Sequence, residues 1–219
     1  DAVTIPLLEG FESYSTLAGV QEWGIINPTG NGFELTTSTG LNSSKSARLM
    51  NFGQTAGDVD ELVSSPVDLS GVSQVTLSFR YAHKRRNTND DDKLRVLVSN
   101  TCGDSWAIRK TLLLASTSAV QGSTFTPATE SDWTTVHVTN ITSSYLVDNF
   151  RYKFTFEGGG GNNLFIDNIN IYEGPSSDDI VTGSSGIAEL TSINGLSVYP
   201  NPVDSELSVD FSVQTAQEV

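Results

Sequence analysis

The sequence predicts an all-β protein: an antiparallel two-sheet β-sandwich of jelly-roll type, followed by a short C-terminal β-hairpin tail. Three observations carry that prediction. Apolar residues recur with a period of two in one segment after another, clusters of turn-forming residues separate those segments, and no stretch shows the apolar stripe of an amphipathic helix. Eight or nine such strands within residues 1–174 suit a double-layered antiparallel fold.

Taken in order, the weaker strand signals come first: IPLLEGFE, GFELTT, SARLMNF and DELVSSPVDL. The alternation then becomes clean in QVTLSFRYAH (74–83), KLRVLVS (93–99), WTTVHVT (133–139), FRYKFTFE (150–157) and NLFIDNINIYE (163–173). Between them lie NPTGNG, NTNDDD, NTCGDSW and EGGGGNN, all rich in residues that turn the chain. After residue 174 the pattern gives way to PSSDDIVTGSSGIAELTS, whose Ser, Gly and Asp bury little; it reads as a flexible linker over 175–193. Residues 194–219 then hold two short alternating runs around Tyr199-Pro200-Asn201-Pro202. A lone hairpin of that size is marginal in water, so the tail reads as part of something longer or as a segment another protein recognises.

Charge narrows the partners. The formal net charge is −14. Residues 1–174 carry all twelve Lys and Arg beside nineteen acids, and residues 175–219 carry seven acids and no base. Such a chain is repelled by nucleic acid and by anionic lipid, while divalent cations are favoured. No run reaches the roughly 18 apolar residues of a membrane helix, so no membrane insertion is expected. The opening DAVTIPLLEG lacks the basic leader and apolar core of a signal peptide; an exported form would have lost its leader or carry further domains ahead. With Cys102 alone, no intramolecular disulfide can form.

The residue inventory argues against catalysis. There are two histidines, His83 and His137, and no HExxH pair, and nothing around Cys102 supplies an oriented base. EGGGGNN lacks the Lys-Ser/Thr of a phosphate loop and reads as a flexible hairpin tip. Asp167 is more telling. Strict alternation in LFIDNINI sets it with Phe165, Ile169 and Ile171 on the face expected to be buried. A carboxylate there needs either a cation or several hydrogen-bond donors, and both readings stand. First and last strands often lie side by side in sandwiches, so Glu12 could meet Asp167, with Glu9 a further candidate calcium ligand and Asp58 and Asp60 weaker ones. For ligand binding, Trp23, Trp106 and Trp133 are the candidate aromatic platforms, with core packing as the competing role.

The motifs LLEGFES, LVSSPVDLSGVSQVTLSFRYA, KLRVLVSNTCGDSW and GNNLFIDNINIYE, in that order across residues 5–173, resemble a jelly-roll module of proteins secreted through the bacterial type IX system. It is similar to the domain that follows the catalytic domain of pappalysin-like metallopeptidases, and more distantly to cleaved-adhesin and MAM-like domains. The resemblance implies a secreted or cell-surface, non-catalytic module acting as an adhesin or accessory domain, with a glycan or protein ligand. It also implies a structural calcium held by Glu12 and Asp167, with main-chain carbonyls near SSKSARL completing the shell. LSVYPNPVDSELSV in turn resembles the start of a type IX sorting domain, which implies recognition of Tyr199, Pro200, Asn201 and Pro202 by the type IX export machinery. That family's domain continues for several more strands and usually ends in a basic residue, whereas this sequence stops at AQEV; the resemblance covers its N-terminal part only.

Overall fold

The computed structural model describes residues 2–182 together with the strand backbones at 197–199 and 208–210. The first unit holds thirteen strands. They are β1 (Val3–Thr4), β2 (Leu7–Glu9), β3 (Trp23–Ile26), β4 (Glu34–Thr36), β5 (Ser46–Leu49), β6 (Val59–Ser64), β7 (Val67–Asp68), β8 (Val75–His83), β9 (Lys93–Ser99), β10 (Ala107–Leu113), β11 (Trp133–Val138), β12 (Arg151–Glu157) and β13 (Leu164–Glu173). The five cleanly alternating segments become β8, β9, β11, β12 and β13. The sequence signal missed β3 and β10, and β1 and β7 are two-residue pieces that pair in parallel. Among the described residues helix is confined to one turn at Leu114–Thr117 and two 3-10 turns.

Two antiparallel sheets face each other. One has the order β10-β9-β12-β6-β3 and the other β11-β8-β13-β5-β4, with β2 also paired to β13. Alternating residues from both point inward: Leu77, Phe79 and Tyr81 of β8 meet Val96, Val98, Phe154 and Phe156 of β9 and β12 in one core. Phe79 and Phe154 touch across the layers edge to face, ring centroids 4.9 Å apart. Each such buried aromatic contributes roughly 1.5–3 kcal/mol. Together these contacts give the antiparallel two-sheet β-sandwich of jelly-roll type.

β13 runs through the centre of the second sheet and breaks its own alternation. Its register against β8 shifts between Asp167 and Asn170, where Asn168 takes a positive φ of 46°. This bulge inserts a residue and re-aims the side chains beyond it. Leu164, Ile166, Ile169 and Ile171 therefore all reach the inter-sheet core, whereas Phe165 packs with Ala82, Phe125 and Trp133 in a separate cluster. The face expected from strict alternation, with Asp167 among Ile169 and Ile171, is corrected: those two isoleucines lie across the sheet from Phe165.

The same bulge marks a change of neighbour. On its other edge β13 pairs with β5 as far as Ile166, then with β2 from Ile169. Asp167 and Asn168 occupy the gap between.

The opening of the expected linker is tied to the sandwich. Ser177 N donates to Tyr172 Oη at 2.8 Å, and Val181 N donates to Asn170 Oδ1 at 2.7 Å while Asn170 Nδ2 returns a bond to Val181 O at 2.9 Å. Buried Arg80 donates to the carbonyls of Asp178 and Asn168, and His137 contacts Asp178 Oδ1 at 2.9 Å. Residues 177–181 form a strap over the outer face of the second sheet, not a free linker. In the second unit, β14 (Ser197–Tyr199) and β15 (Ser208–Asp210) pair as an antiparallel hairpin. Pro200, Asn201 and Pro202 lie outside the described residues.

Candidate functional site

The gap beside the bulge gathers two of the predicted calcium ligands around one loop. Asp167 is fully buried. Its carboxylate accepts Leu41 N and Asn168 N at 2.7 Å each and Ser43 Oγ at 3.3 Å. Glu12 lies on the exposed side of the same loop and accepts Ser44 N at 3.0 Å and Lys45 N at 2.7 Å. Lys45 turns its ammonium to the carbonyls of Glu12 and Tyr14 rather than to either carboxylate. Among the described residues no Lys, Arg or His makes an ion pair with Asp167.

Burial, with a smaller contribution from the charge of Glu12, pushes the Asp167 carboxyl up to about 7 against the pull of its three donors. The corner thus offers two carboxylates, the Ser43 hydroxyl and the Lys45 carbonyl, which accepts from Ser43 Oγ at 3.3 Å. This all-oxygen donor set fits a hard cation. Among the described residues no three His, Cys, Asp or Glu side chains gather as a metal cluster, so further ligands here would be main-chain or hydroxyl oxygens.

Glu9 stands elsewhere. It accepts Phe11 N at 2.5 Å and Tyr14 Oη at 2.8 Å, and lines a cavity of about 70 Å³ with Trp23, Glu22 and Tyr152. The structure does not bring it to the Glu12–Asp167 corner, because Glu9 belongs to β2 proper while Glu12 follows the turn.

The three tryptophans separate by position. Trp23 is a core residue, 5% exposed, against Phe11 and edge-on to Tyr152, so it is not a surface platform. Trp106 is half-buried and carries the Lys153 ammonium 4.7 Å from its ring centroid, which occupies one face. Trp133 is half-buried too, packing on the Ala82–Phe125–Phe165 cluster. Its remaining surface lines two adjoining cavities of about 590 and 570 Å³, which share Leu41, Asn42, Glu130 and Trp133. The strap supplies Asp178 and Asp179 to the second of them. An aromatic surface bordered by amides, hydroxyls and carboxylates, in an open groove of this size, suits a polar ligand laid along the sheet. The strap's share of the wall was not legible, since nothing in SSDDIV marks it as docked.

EGGGGNN is a structural knot rather than a flexible tip. Asp92, 1% exposed, accepts Gly159 N at 2.6 Å, Gly161 N at 3.2 Å and Asn51 Nδ2 at 3.3 Å, and pairs with His83 Nε2 at 3.0 Å. A Cβ on Gly161 would stand 1.7 Å from Asp92 Oδ2. The glycines permit this approach. Ser118 Oγ lies 2.9 Å from His83 Nδ1, but all three residues are buried, and the arrangement anchors a loop.

No protein-family model matches the chain, and no curated protein matches it by sequence. By fold it is similar to the K2 cleaved adhesin domain of Lys-gingipain, with a TM-score of 0.56 and 17% identity over 75% of this chain and 98% of that one. The K3 cleaved adhesin domain of Lys-gingipain from Porphyromonas gingivalis gives 0.54 and 19% over 77% and 98%. TmCBM61, solved with β-1,4-galactotriose, gives 0.51 and 13% over 76% and 95%. At such identities the likeness is one of fold: this chain is a β-sandwich similar in architecture to adhesin domains and to a carbohydrate-binding module.

Proposed function

We propose that the chain is a non-catalytic extracellular β-sandwich, stabilised by calcium between Glu12 and Asp167, that serves as an adhesion or accessory domain of a larger secreted protein. The observation that carries the binding role is the open groove floored by Trp133: a rigid sheet, an aromatic surface and a polar rim suit holding a ligand. The likeness in fold to cleaved adhesin domains supports the same reading. Type IX export is the proposed route to the surface, on the strength of the Tyr199-Pro200-Asn201-Pro202 motif. In a bacterium with type IX export, substituting Pro200 and Pro202 by alanine in the full-length protein should retain it in the periplasm. Undiminished surface delivery would count against the address.

A carbohydrate-binding role is the second reading, favoured by the size of the groove and the placement of Trp133. A sugar ring that packs its C–H face on an aromatic needs one free ring face, and Trp133 is the tryptophan with surface in the groove. On a glycan array, Trp133→Ala should abolish any binding while the melting temperature stays within a few degrees, since one side of the ring already lies open. Glycan binding that survives this change would remove the groove from the account. Binding to a surface protein without glycan binding would favour adhesion.

A further inference from the structure

The opposite rim of the sandwich contains a buried carboxylate that nothing described so far explains. Asp60 on β6 is 3% exposed, and its Oδ1 has no hydrogen-bond partner. It lies opposite Phe156 in the register with β12, and Asp58 stands two residues before it, just ahead of β6. The Asp58 carbonyl accepts Gly158 N, so the backbone pairing runs on past β6 and sets Asp58 and Asp60, alternate residues, on one face. Burial, with the charge of Asp58 adding, pushes the Asp60 carboxyl up to about 6.

The chain next to Phe156 turns at Gly158, whose N–H donates to Asp58 O at 2.9 Å while Gly57 N donates back to Gly158 O at 2.7 Å. The space where a Gly158 side chain would begin is bordered by oxygen. Asn51 Oδ1 lies 3.0 Å from the position of a Cβ there, Asp58 O lies 3.8 Å away, and a Phe156 ring carbon also lies 3.8 Å away. Asn51 is itself buried and spends its amide N–H on Asp92, which leaves the carbonyl oxygen directed to this space. No basic side chain forms an ion pair with Asp58 or Asp60 among the described residues.

We propose that Asp60, Asp58 and the side-chain oxygen of Asn51 form a second calcium site beside Gly158, separate from the Glu12–Asp167 corner. The chemistry is consistent on each count. The donors are carboxylate, amide and main-chain oxygens, the set that suits a hard divalent cation. An orphaned buried carboxylate oxygen is costly unless something positive meets it. The site joins the loop after β5 to the start of β6 and the turn after β12, so an ion there would tie three segments of one rim.

Calcium stoichiometry on the intact chain tests the site. After equilibration with micromolar calcium and gel filtration, metal analysis should find two ions per wild-type chain and one in Asp60→Asn. Asp167→Asn should also bind one, and the double variant none. Wild-type stoichiometry in Asp60→Asn would overturn the second site. If Asp60→Asn does not fold, Asp58→Asn replaces it: a tenfold or greater weakening of one of two binding steps supports the site, and unaltered binding overturns it. Loss of an ion in Asp60→Asn but not in Asp167→Asn would sink the Glu12–Asp167 reading alone, so the two sites succeed or fail separately.

Discussion

Loss of calcium from the Glu12–Asp167 corner should lower the melting temperature by about 5–10 °C, and Asp167→Asn should remove that share of the chelator response, leaving only what the Asp60 site contributes. An ion present at 100 times its dissociation constant stabilises the folded state by about 2.7 kcal/mol. In a domain of this size each kcal/mol moves the midpoint by about 2–4 °C. The effect is large because the corner is electrostatically unfavourable without a cation: Asp167 is fully buried, Glu12 adds like charge, and among the described residues no basic side chain pairs with it. Leu41 N and Asn168 N bind different oxygens of the carboxylate and asparagine keeps only one of them, so the variant should melt below the calcium-loaded wild type and respond less to chelator. Differential scanning calorimetry with and without EGTA makes the comparison. Lysine, arginine or a hydrogen bond in place of the ion would leave wild type indifferent to chelator.

Gly161→Ala should be the most damaging small substitution in the sandwich, lowering stability by more than about 4 kcal/mol, in the exceptional range for a point change. The new methyl would stand 1.7 Å from Asp92 Oδ2 and 2.7 Å from its Cγ. Either the loop withdraws and abandons its hydrogen bonds, or Asp92 moves and leaves His83, Gly159 and Asn51 without their acceptor. Each buried group so stranded costs about 1–3 kcal/mol. Gly122→Ala is the control, because its Cβ would meet Arg86 O at an ordinary 3.7 Å. Urea melts of the two variants check the contrast, and equal midpoints would refute the knot.

Asp92 also gives the knot a pH signature. Burial would raise its carboxyl, but the His83 side chain and the Gly159 and Gly161 amides outweigh burial and hold it below the ordinary carboxylate range. A depressed carboxyl contributes stability above its unfolded pKa and loses it as pH falls through the folded one. Acid should therefore erode the wild type more steeply than Asp92→Asn, whose contribution does not titrate.

What the sequence made legible follows from where its signals live. The strands that turn apolar side chains to one face and mostly polar ones to the other, β8, β9, β11, β12 and β13, wrote their period of two into the chain. β10 hid because a bulge between Ile108 and Lys110 breaks its alternation, and β3 because four residues carry no period. Asp167 could be singled out because a charge interrupted an apolar run, and Glu12 because the first strand was expected beside the last. The reason for their proximity could not, because it depends on a bulge at Asn168 and a change of partner strand that alternation alone does not encode. Glu9 looked equivalent to Glu12 for the same reason; three residues of turn send them to different places. EGGGGNN was misleading in the opposite sense. Consecutive glycines look flexible in isolation, and only the approach of Asp92 explains why side chains are excluded there. The strap over Arg80 and Asn170 was invisible, since its anchors are buried polar residues on strands remote in sequence.

The central claim is that a calcium ion closes the gap where β13 passes from one partner strand to the next. Calorimetric titration of calcium into chelator-stripped protein at neutral pH tests it most directly. A saturable binding step that weakens at least tenfold in both Glu12→Gln and Asp167→Asn is the predicted result. Binding of equal strength in wild type and both variants, or no heat at any calcium concentration, would contradict it.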